Sequence, residues 1–351
     1  MNRRSRFSKP LALDELRHAL LNWYDRNLRD LPWRRDADPY RVWVSEIMLQ
    51  QTRVAAVLEH YARFLQRFPT VQALAAAREQ SVLAVWSGLG YYHRARRMYQ
   101  SGKVIVRERK GNFPRTAEEW RELPGVGRYT AAAIASIAFG QAIAAVDGNI
   151  ERVLERMFGR TASREAAWHR AEVLLDHDRP GDFNQAMMEL GATLCTPRAP
   201  RCPLCPLNPW CQSRGEGTVR RQAPRKRKRL CYALTRKKDA VLLVRRSAGA
   251  SLMAGMWELP VISESERGSH KPVAKLRHSI TDTDYDVSVV PVLPRQLPTF
   301  ETEARWFSRK QWERLPLTGL TRKVLGRLPV ESPRAASESN RTLQTFRRSD
   351  S

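Results

Sequence analysis

Apolar residues recur at helical spacing through the first part of the chain and at strand spacing through the last part. RVWVSEIMLQ, VAAVLEHYARFLQRF, SVLAVWSGLGYY, TAAAIASIAF and ERVLERMF carry apolar residues three and four apart, or are apolar on nearly every face. That is the texture of amphipathic and buried helices. Ahead of them, LALDELRHALLNWYDRN reads as a further amphipathic helix, and strand signals are sparse. These segments predict a mainly α domain over residues 12–214, closed by a cysteine cluster. The stretch from Thr130 to Val146 is Ala-rich and low in charge, but Gly140-Gln141 interrupts it. It is shorter than the ~20 apolar residues of a membrane span, so it predicts a tightly packed core helix.

From Leu230 the texture changes. CYALTRKKDAVLLVRR predicts two strands around a polar turn, with Val241 to Val244 buried. YDVSVVPVL and ARWFS predict further strands, and RKQWERL and TGLTRKVLGRL short helices. Residues 230–330 therefore read as an α+β domain. The basic, Pro-containing run 215–229 reads as an extended linker. Residues 1–11 read as a basic flexible N-terminus and 331–351 as a polar, disordered tail.

Composition narrows the partners. The chain has 351 residues, 42% of them hydrophobic, which allows a core and two domains. Lys and Arg total 61 against 36 acids, a formal charge of +25. Such an excess attracts polyanions. Nucleic acid comes first among them, because cations that neutralise phosphates release condensed counterions. An anionic membrane surface is the rival partner, yet no segment reads as an anchor. MNRRSRFSKP has no apolar run behind it, so the expectation is a cytoplasmic protein without a secretory signal.

Five cysteines are too few for a disulfide framework, and four of them crowd into Cys195-x6-Cys202-x2-Cys205-x5-Cys211. Cys231 stands apart as an ordinary small apolar residue. Four thiolates in one short loop suit one tetrahedral zinc or one iron–sulfur cubane, and their chemistry alone leaves both open.

Two carboxylates stand out. Glu46 is the only acid in a run of apolar helix, where burial would keep it protonated near neutral pH. A surface glutamate on a polar helix face is the alternative. Asp147, in V-D-G-N, follows one helix and precedes another, so an N-cap is the commoner role for it. An acid and a carboxylate are what cleavage of an N-glycosidic bond requires: one protonates the leaving base, the other faces the cationic sugar. Between them lies Leu123-Pro124-Gly125-Val126-Gly127, a turn whose glycines let the backbone approach a ligand and whose following helix offers free N–H groups to an anion.

V-S-E-I-M-L-Q-Q-T, G-L-G-Y-Y, L-P-G-V-G-R-Y-T, V-D-G-N, F-N-Q-A-M-M-E-L-G-A and the cysteine loop, in this order, resemble the MutY glycosylases over about residues 20–212. The resemblance implies a helix-hairpin-helix catalytic domain with a 4Fe–4S cluster on Cys195, Cys202, Cys205 and Cys211. It implies Glu46 as the acid that protonates adenine N7 and Asp147 as the carboxylate that stabilises the sugar cation. Asn149 would support the acid or the water, and Tyr129 would lie beside the sugar. Related bifunctional enzymes carry a Schiff-base lysine at position 129, and Arg128 cannot replace it because a guanidinium stays protonated. A monofunctional enzyme is therefore expected.

The same resemblance assigns Arg29, Trp33, Arg34 and Gln185 to the adenine pocket. Gln51, Thr52, Leu89 and Tyr91 go to the wedge and the contact with the orphaned guanine, and Leu123, Gly125, Val126 and Gly127 to the DNA backbone. Ser251 to Pro260 resembles the G-[LM]-W-E-x-P of the family's Nudix-like domain, without the glutamate-rich box of true Nudix hydrolases. In the loop that inspects 8-oxoguanine, Ile280-Thr281-Asp282 replaces the family's Phe-Ser-His, so only Thr281 keeps a hydroxyl. The implied substrate is double-stranded DNA with adenine opposite 8-oxoguanine or guanine. The implied setting is a monomer associated with the bacterial nucleoid. The competing readings are an endonuclease III-like lyase on oxidised pyrimidines and a non-enzymatic iron–sulfur DNA-binding protein.

Overall fold

The computed structural model describes residues 10–159, 163–214, 225–280 and 282–327. The expectations for residues 1–9, 215–224 and 331–351, and for Thr281, lie outside the described residues. What is described falls into two compact units, one within Met1–Ala223 and one within Pro224–Ser351.

The first unit is helical: α1 (Pro10–Asn27), α2 (Pro39–Leu49), α3 (Val54–Arg67), α4 (Val71–Ala76), α5 (Glu79–Trp86), α6 (Tyr92–Glu108), α7 (Ala117–Arg121), α8 (Arg128–Phe139), α9 (Gly148–Phe158), α10 (Arg164–Leu174) and α11 (Pro180–Thr193). α1 starts at Pro10, inside the run expected to be flexible, because proline suits the first turn of a helix. SVLAVWSGLGYY is not one helix. It breaks after Trp86 at Gly88 and Gly90, both at positive φ, and resumes at Tyr92.

α8 organises this unit. Alanine is the best helix former, and Ala131 to Ala135 with the intervening Ile134 are wholly buried. Their small side chains let α2, α7 and α11 pack closely against α8. Gly140, at φ 68°, ends the helix with its N–H on the carbonyls of Ala135 and Ser136. Gly181 and Gly191 bring α11 in just as tightly: a Cβ at 181 would lie 2.6 Å from the Ser136 carbonyl oxygen, and one at 191 only 2.7 Å from Cβ of Asn149.

The second unit is α+β: β1 (Lys226–Leu234), β2 (Arg236–Lys237), β3 (Ala240–Arg245), β4 (Trp257–Glu258), β5 (Val261–Ile262), α12 (Glu264–Arg267), β6 (Ala274–Ile280), β7 (Thr283–Pro291), β8 (Ala304–Ser308), α13 (Arg309–Trp312) and α14 (Gly319–Leu325). One sheet has the order β5-β1-β7-β6, with β1 parallel to β7. In the other, β3 pairs with β2, β4 and β8, all antiparallel. Tyr232, Leu243, Leu259, Val287, Val289 and Leu320 fill its core.

One expectation needs correction here. Lys226 to Arg229 are not tether but the first half of β1, paired with Thr283 to Asp286. The charges suit it: the register sets Arg227 against Asp284 and Arg229 against Asp286, and just outside the ladder's start Arg225 meets Asp284 at 2.7 Å and Lys226 meets Asp282 at 3.4 Å.

Candidate active site

A cleft of about 910 Å³ opens in the helical unit, walled by α2, α8, the start of α9 and α11. Its floor is α2. Asp38 caps this helix by accepting from the Arg41 amide, Pro39 opens it, and every residue from Val42 to Met48 is buried. Glu46 is therefore no surface residue. Burial pushes its carboxyl up to about 7; the Tyr129 hydrogen bond opposes that rise and the nearby Asp147 charge adds to it. The Tyr129 hydroxyl donates to Glu46 Oε2 at 2.9 Å and lies 3.6 Å from Met188 Sδ. Burial, with both carboxylates nearby, holds the Tyr129 phenol well above its usual range, so it is a donor at neutral pH.

Asp147 stands at the N-terminus of α9. As the N-cap of α9 its Oδ1 accepts from the amides of Asn149 (2.9 Å) and Ile150 (2.8 Å), and Oδ2 accepts from Asn149 Nδ2 at 2.9 Å. It also lines the cleft with Glu46, Tyr129 and Asn149. Burial pushes its carboxyl up, while the three donors and the Arg152 guanidinium favour the charged form. Arg152 in turn donates to Asn149 Oδ1 (3.0 Å) and to the carbonyls of Gly191 (2.6 Å) and Cys195 (2.9 Å). Asn149 is thereby held between α9 and α11.

At one end of the cleft stand Arg29, Trp33, Arg34 and Gln185. Trp33 is buried and meets the Tyr61 ring edge-on at 5.2 Å. The residue that organises this end is not among those expected from the sequence. Glu189 is wholly buried, accepts from Arg29 Nη2 at 2.8 Å and from Arg34 Nη2 at 2.9 Å, and lines the cleft. Burial pushes its carboxyl up, but the two guanidiniums more than offset this and hold it below the usual range. A signal was present: Glu189 lies one helical turn after Gln185, in the motif F-N-Q-A-M-M-E-L-G-A.

At the rim, Gly125 has φ 80° and Gly127 caps α8 with no side-chain bond, which leaves the first-turn N–H groups open. Leu123, Gly125, Val126 and Gly127 line the cleft together with Gln51, Thr52, Arg97, Arg121 and Arg164. Leu89 and Tyr91 do not line it. Leu89 is buried and Tyr91 is part-exposed on an adjoining loop.

Away from the cleft, Cys195, Cys202, Cys205 and Cys211 line one small cavity, and none is in a disulfide. Arg156 of α9 donates to Cys195 Sγ at 3.2 Å, and the amides of Gln212 and Ser213 return to the carbonyls of Met157 and Arg156, both at 3.1 Å. The cysteine loop is thus tied to the helix that begins at Asp147. Among the described residues, no group of three or more His, Cys, Asp or Glu side chains stands in single-ion geometry, and no helix is long and apolar enough to cross a membrane.

Residues 44–175 match the model of the HhH-GPD superfamily of base excision DNA repair proteins. The adenine DNA glycosylase of Schizosaccharomyces pombe is 33% identical over 323 residues, which cover 72% of this chain and 70% of that protein. The chain belongs to the MutY-type adenine DNA glycosylase family. The rat adenine DNA glycosylase is 39% identical over 335 residues, covering 77% of this chain. The match spans 65% of the rat protein, just under two thirds of its length. Among solved structures, a thermostable thymine-DNA glycosylase superposes with a TM-score of 0.53 and 30% identity, covering 57% of this chain and 94% of that one.

Proposed function

We propose that this protein is a monofunctional glycosylase that hydrolyses the N-glycosidic bond of adenine paired with 8-oxoguanine or guanine in duplex DNA. The observation that carries the reading is one cleft with a buried, neutral-leaning Glu46 and, on its walls, an Asp147 whose carboxylate accepts three hydrogen bonds. An adenine in the stack is out of reach, so the nucleotide must swing into the cleft. Glu46 gives its proton to N7. The C1′–N9 bond then breaks with its electron pair leaving on the base, and the Asp147 carboxylate balances the cationic sugar. Water adds at C1′ and returns a proton to Glu46, with Asn149 orienting it. Arg29, Trp33, Arg34, Gln185 and Glu189 form the pocket for the base. Arg97, Arg121, Arg164 and the open N–H groups of α8 attract phosphates at the rim. Tyr129 is no amine, so no Schiff base forms at that position.

The cysteine loop fits an iron–sulfur group: four soft thiols surround one cavity, with no carboxylate or imidazole among its lining residues. In this reading Cys195, Cys202, Cys205 and Cys211 hold a 4Fe–4S cluster, which supplies a structural staple and a one-electron couple. Base release uses neither. In this reading the hydroxyl of Thr281 would inspect the oxidised base.

Duplexes with adenine opposite 8-oxoguanine, adenine opposite guanine, and thymine glycol, assayed side by side, test the reading. It expects free adenine from the first two, a strand that breaks only after hot alkali, and no borohydride-trapped adduct. Strong trapping, or release of thymine glycol alone, overturns it. The purified protein should also absorb in the visible as a 4Fe–4S protein does; a colourless zinc protein overturns the cluster assignment.

A further inference from the structure

Arg94 is a buried cation whose partners among the described residues include no acid. It lies on α6, and its Nη1 donates to the carbonyls of Ile47 and Met48, each at 2.9 Å, and to that of Gln50. Nη2 donates to Thr52 Oγ1 at 3.0 Å and reaches the carbonyls of Leu89 (3.5 Å) and Gly90 (3.4 Å). The guanidinium also lies over two ring faces, Trp86 at 5.4 Å and Tyr91 at 5.3 Å from the centroids. One side chain thus holds two loops: residues 50–52, which follow α2, and residues 89–91, which precede α6.

Both loops need holding. Gln51 has φ 55° and Tyr91 has φ 47°, a left-handed conformation that non-glycine residues adopt only where the surroundings impose it. The charge on Arg94 is balanced without an acid because the carbonyls at the end of α2 are among those a helix leaves unpaired, and their dipoles favour a cation. Burial pulls the guanidinium down to about 10, which leaves it charged at neutral pH. Its Nε is buried with no partner, so its hold on the loops runs through the two terminal nitrogens. Lysine could not do the same: an ammonium is a point donor that can neither span both loops nor lie flat on two rings.

We propose that Arg94 is a positioning residue that locks these two loops into one reading head, so that Gln51 and Tyr91 meet a base pair as a coupled unit. Neither residue then acts alone, although they lie on separate segments of the chain. The inference rests on the reading of this protein as a DNA glycosylase.

A double-mutant cycle tests it. Gln51→Ala, Tyr91→Ala and their combination are made with Arg94 and again with Arg94→Lys. All carry Glu46→Gln so that the duplex stays intact. Affinity for a duplex with adenine opposite 8-oxoguanine is read by fluorescence anisotropy, and the thermal midpoint of each variant is recorded. With Arg94 present, the double variant should depart from the product of the single losses by about threefold or more. In the R94K background the losses should simply multiply. R94K alone should bind about tenfold more weakly, yet with Glu46 restored its single-turnover release at saturating protein should stay within about threefold of the parent. A merely structural Arg94 would lower the folded fraction and leave the coupling intact; equal coupling in both backgrounds overturns the proposal, as does multiplication in both. Should R94K fail to fold, Thr52→Val removes one acceptor from the same guanidinium, and unchanged coupling in that variant overturns it too. A parent that neither binds the duplex nor releases adenine overturns the glycosylase reading, and the clamp's role with it, before any variant is compared.

Discussion

The hydroxyl of Tyr129 donates to Oε2 of Glu46 over 2.9 Å and so joins two residues 83 positions apart in the chain. The bond favours the charged form of Glu46, burial favours the neutral one, and burial wins. Tyr129 therefore restrains the acid without discharging it.

Base release should decline as pH rises through about 7. The sign follows from the role: Glu46 must carry a proton to give one, and its carboxyl loses that proton near 7. Above that point the rate should drop about tenfold per pH unit. Single-turnover rates between pH 5 and 9 check it, and a rate that climbs through this range contradicts it.

Tyr129→Phe removes the donor that favours the charged form. The alkaline limb of the profile should move to higher pH, and the rate at its plateau should fall by about tenfold as the acid loses its orientation. The same pH series on the variant shows whether the limb moves upward.

Glu46→Gln should stabilise the fold at high pH. A carboxyl raised from 4.5 to about 7 binds its proton more tightly when folded, so it costs stability as pH rises from 4.5 to 7 and costs the full amount above. Glutamine has no such cost and still accepts from Tyr129. The gain should be about 3 kcal/mol at pH 8 and near zero at pH 4. Urea unfolding at the two pH values measures it.

Gly191→Ala should damage the site from the far side. The new Cβ would lie 2.7 Å from that of Asn149 and 3.2 Å from its carbonyl group, so backbone must move. A loss of about 1–3 kcal/mol in stability is expected, with slower release because Asn149 no longer holds Asp147 Oδ2. Thermal melts and single-turnover rates report the two effects separately.

Much of this was legible in the sequence. Periodicity marked the helical unit and the change of texture at Leu230, and the spacing of Glu46, Tyr129 and Asp147 followed from motifs. Spacing could not show that α2 is buried on every face. Only the packing of α2 against α8, α3 and α6 together reveals that, and it decides the state of Glu46. Glu189 escaped because a buried acid announces itself through its partners, and Arg29 and Arg34 lie about 160 positions away. Arg94 escaped for a similar reason, since its acceptors are mostly backbone carbonyls, to which residue identity gives no clue. Lys226 to Arg229 read as a tether because charge alone looks solvated, whereas the acids of β7 that pair with it lie far along the chain.

The proton of Glu46 carries the mechanism, and adenine release by Glu46→Gln tests it most directly. On a duplex with adenine opposite 8-oxoguanine, single-turnover release should fall by about a thousandfold or more while the dissociation constant stays within about threefold of the parent. Release at the parent's rate, with the duplex bound equally well, would contradict it.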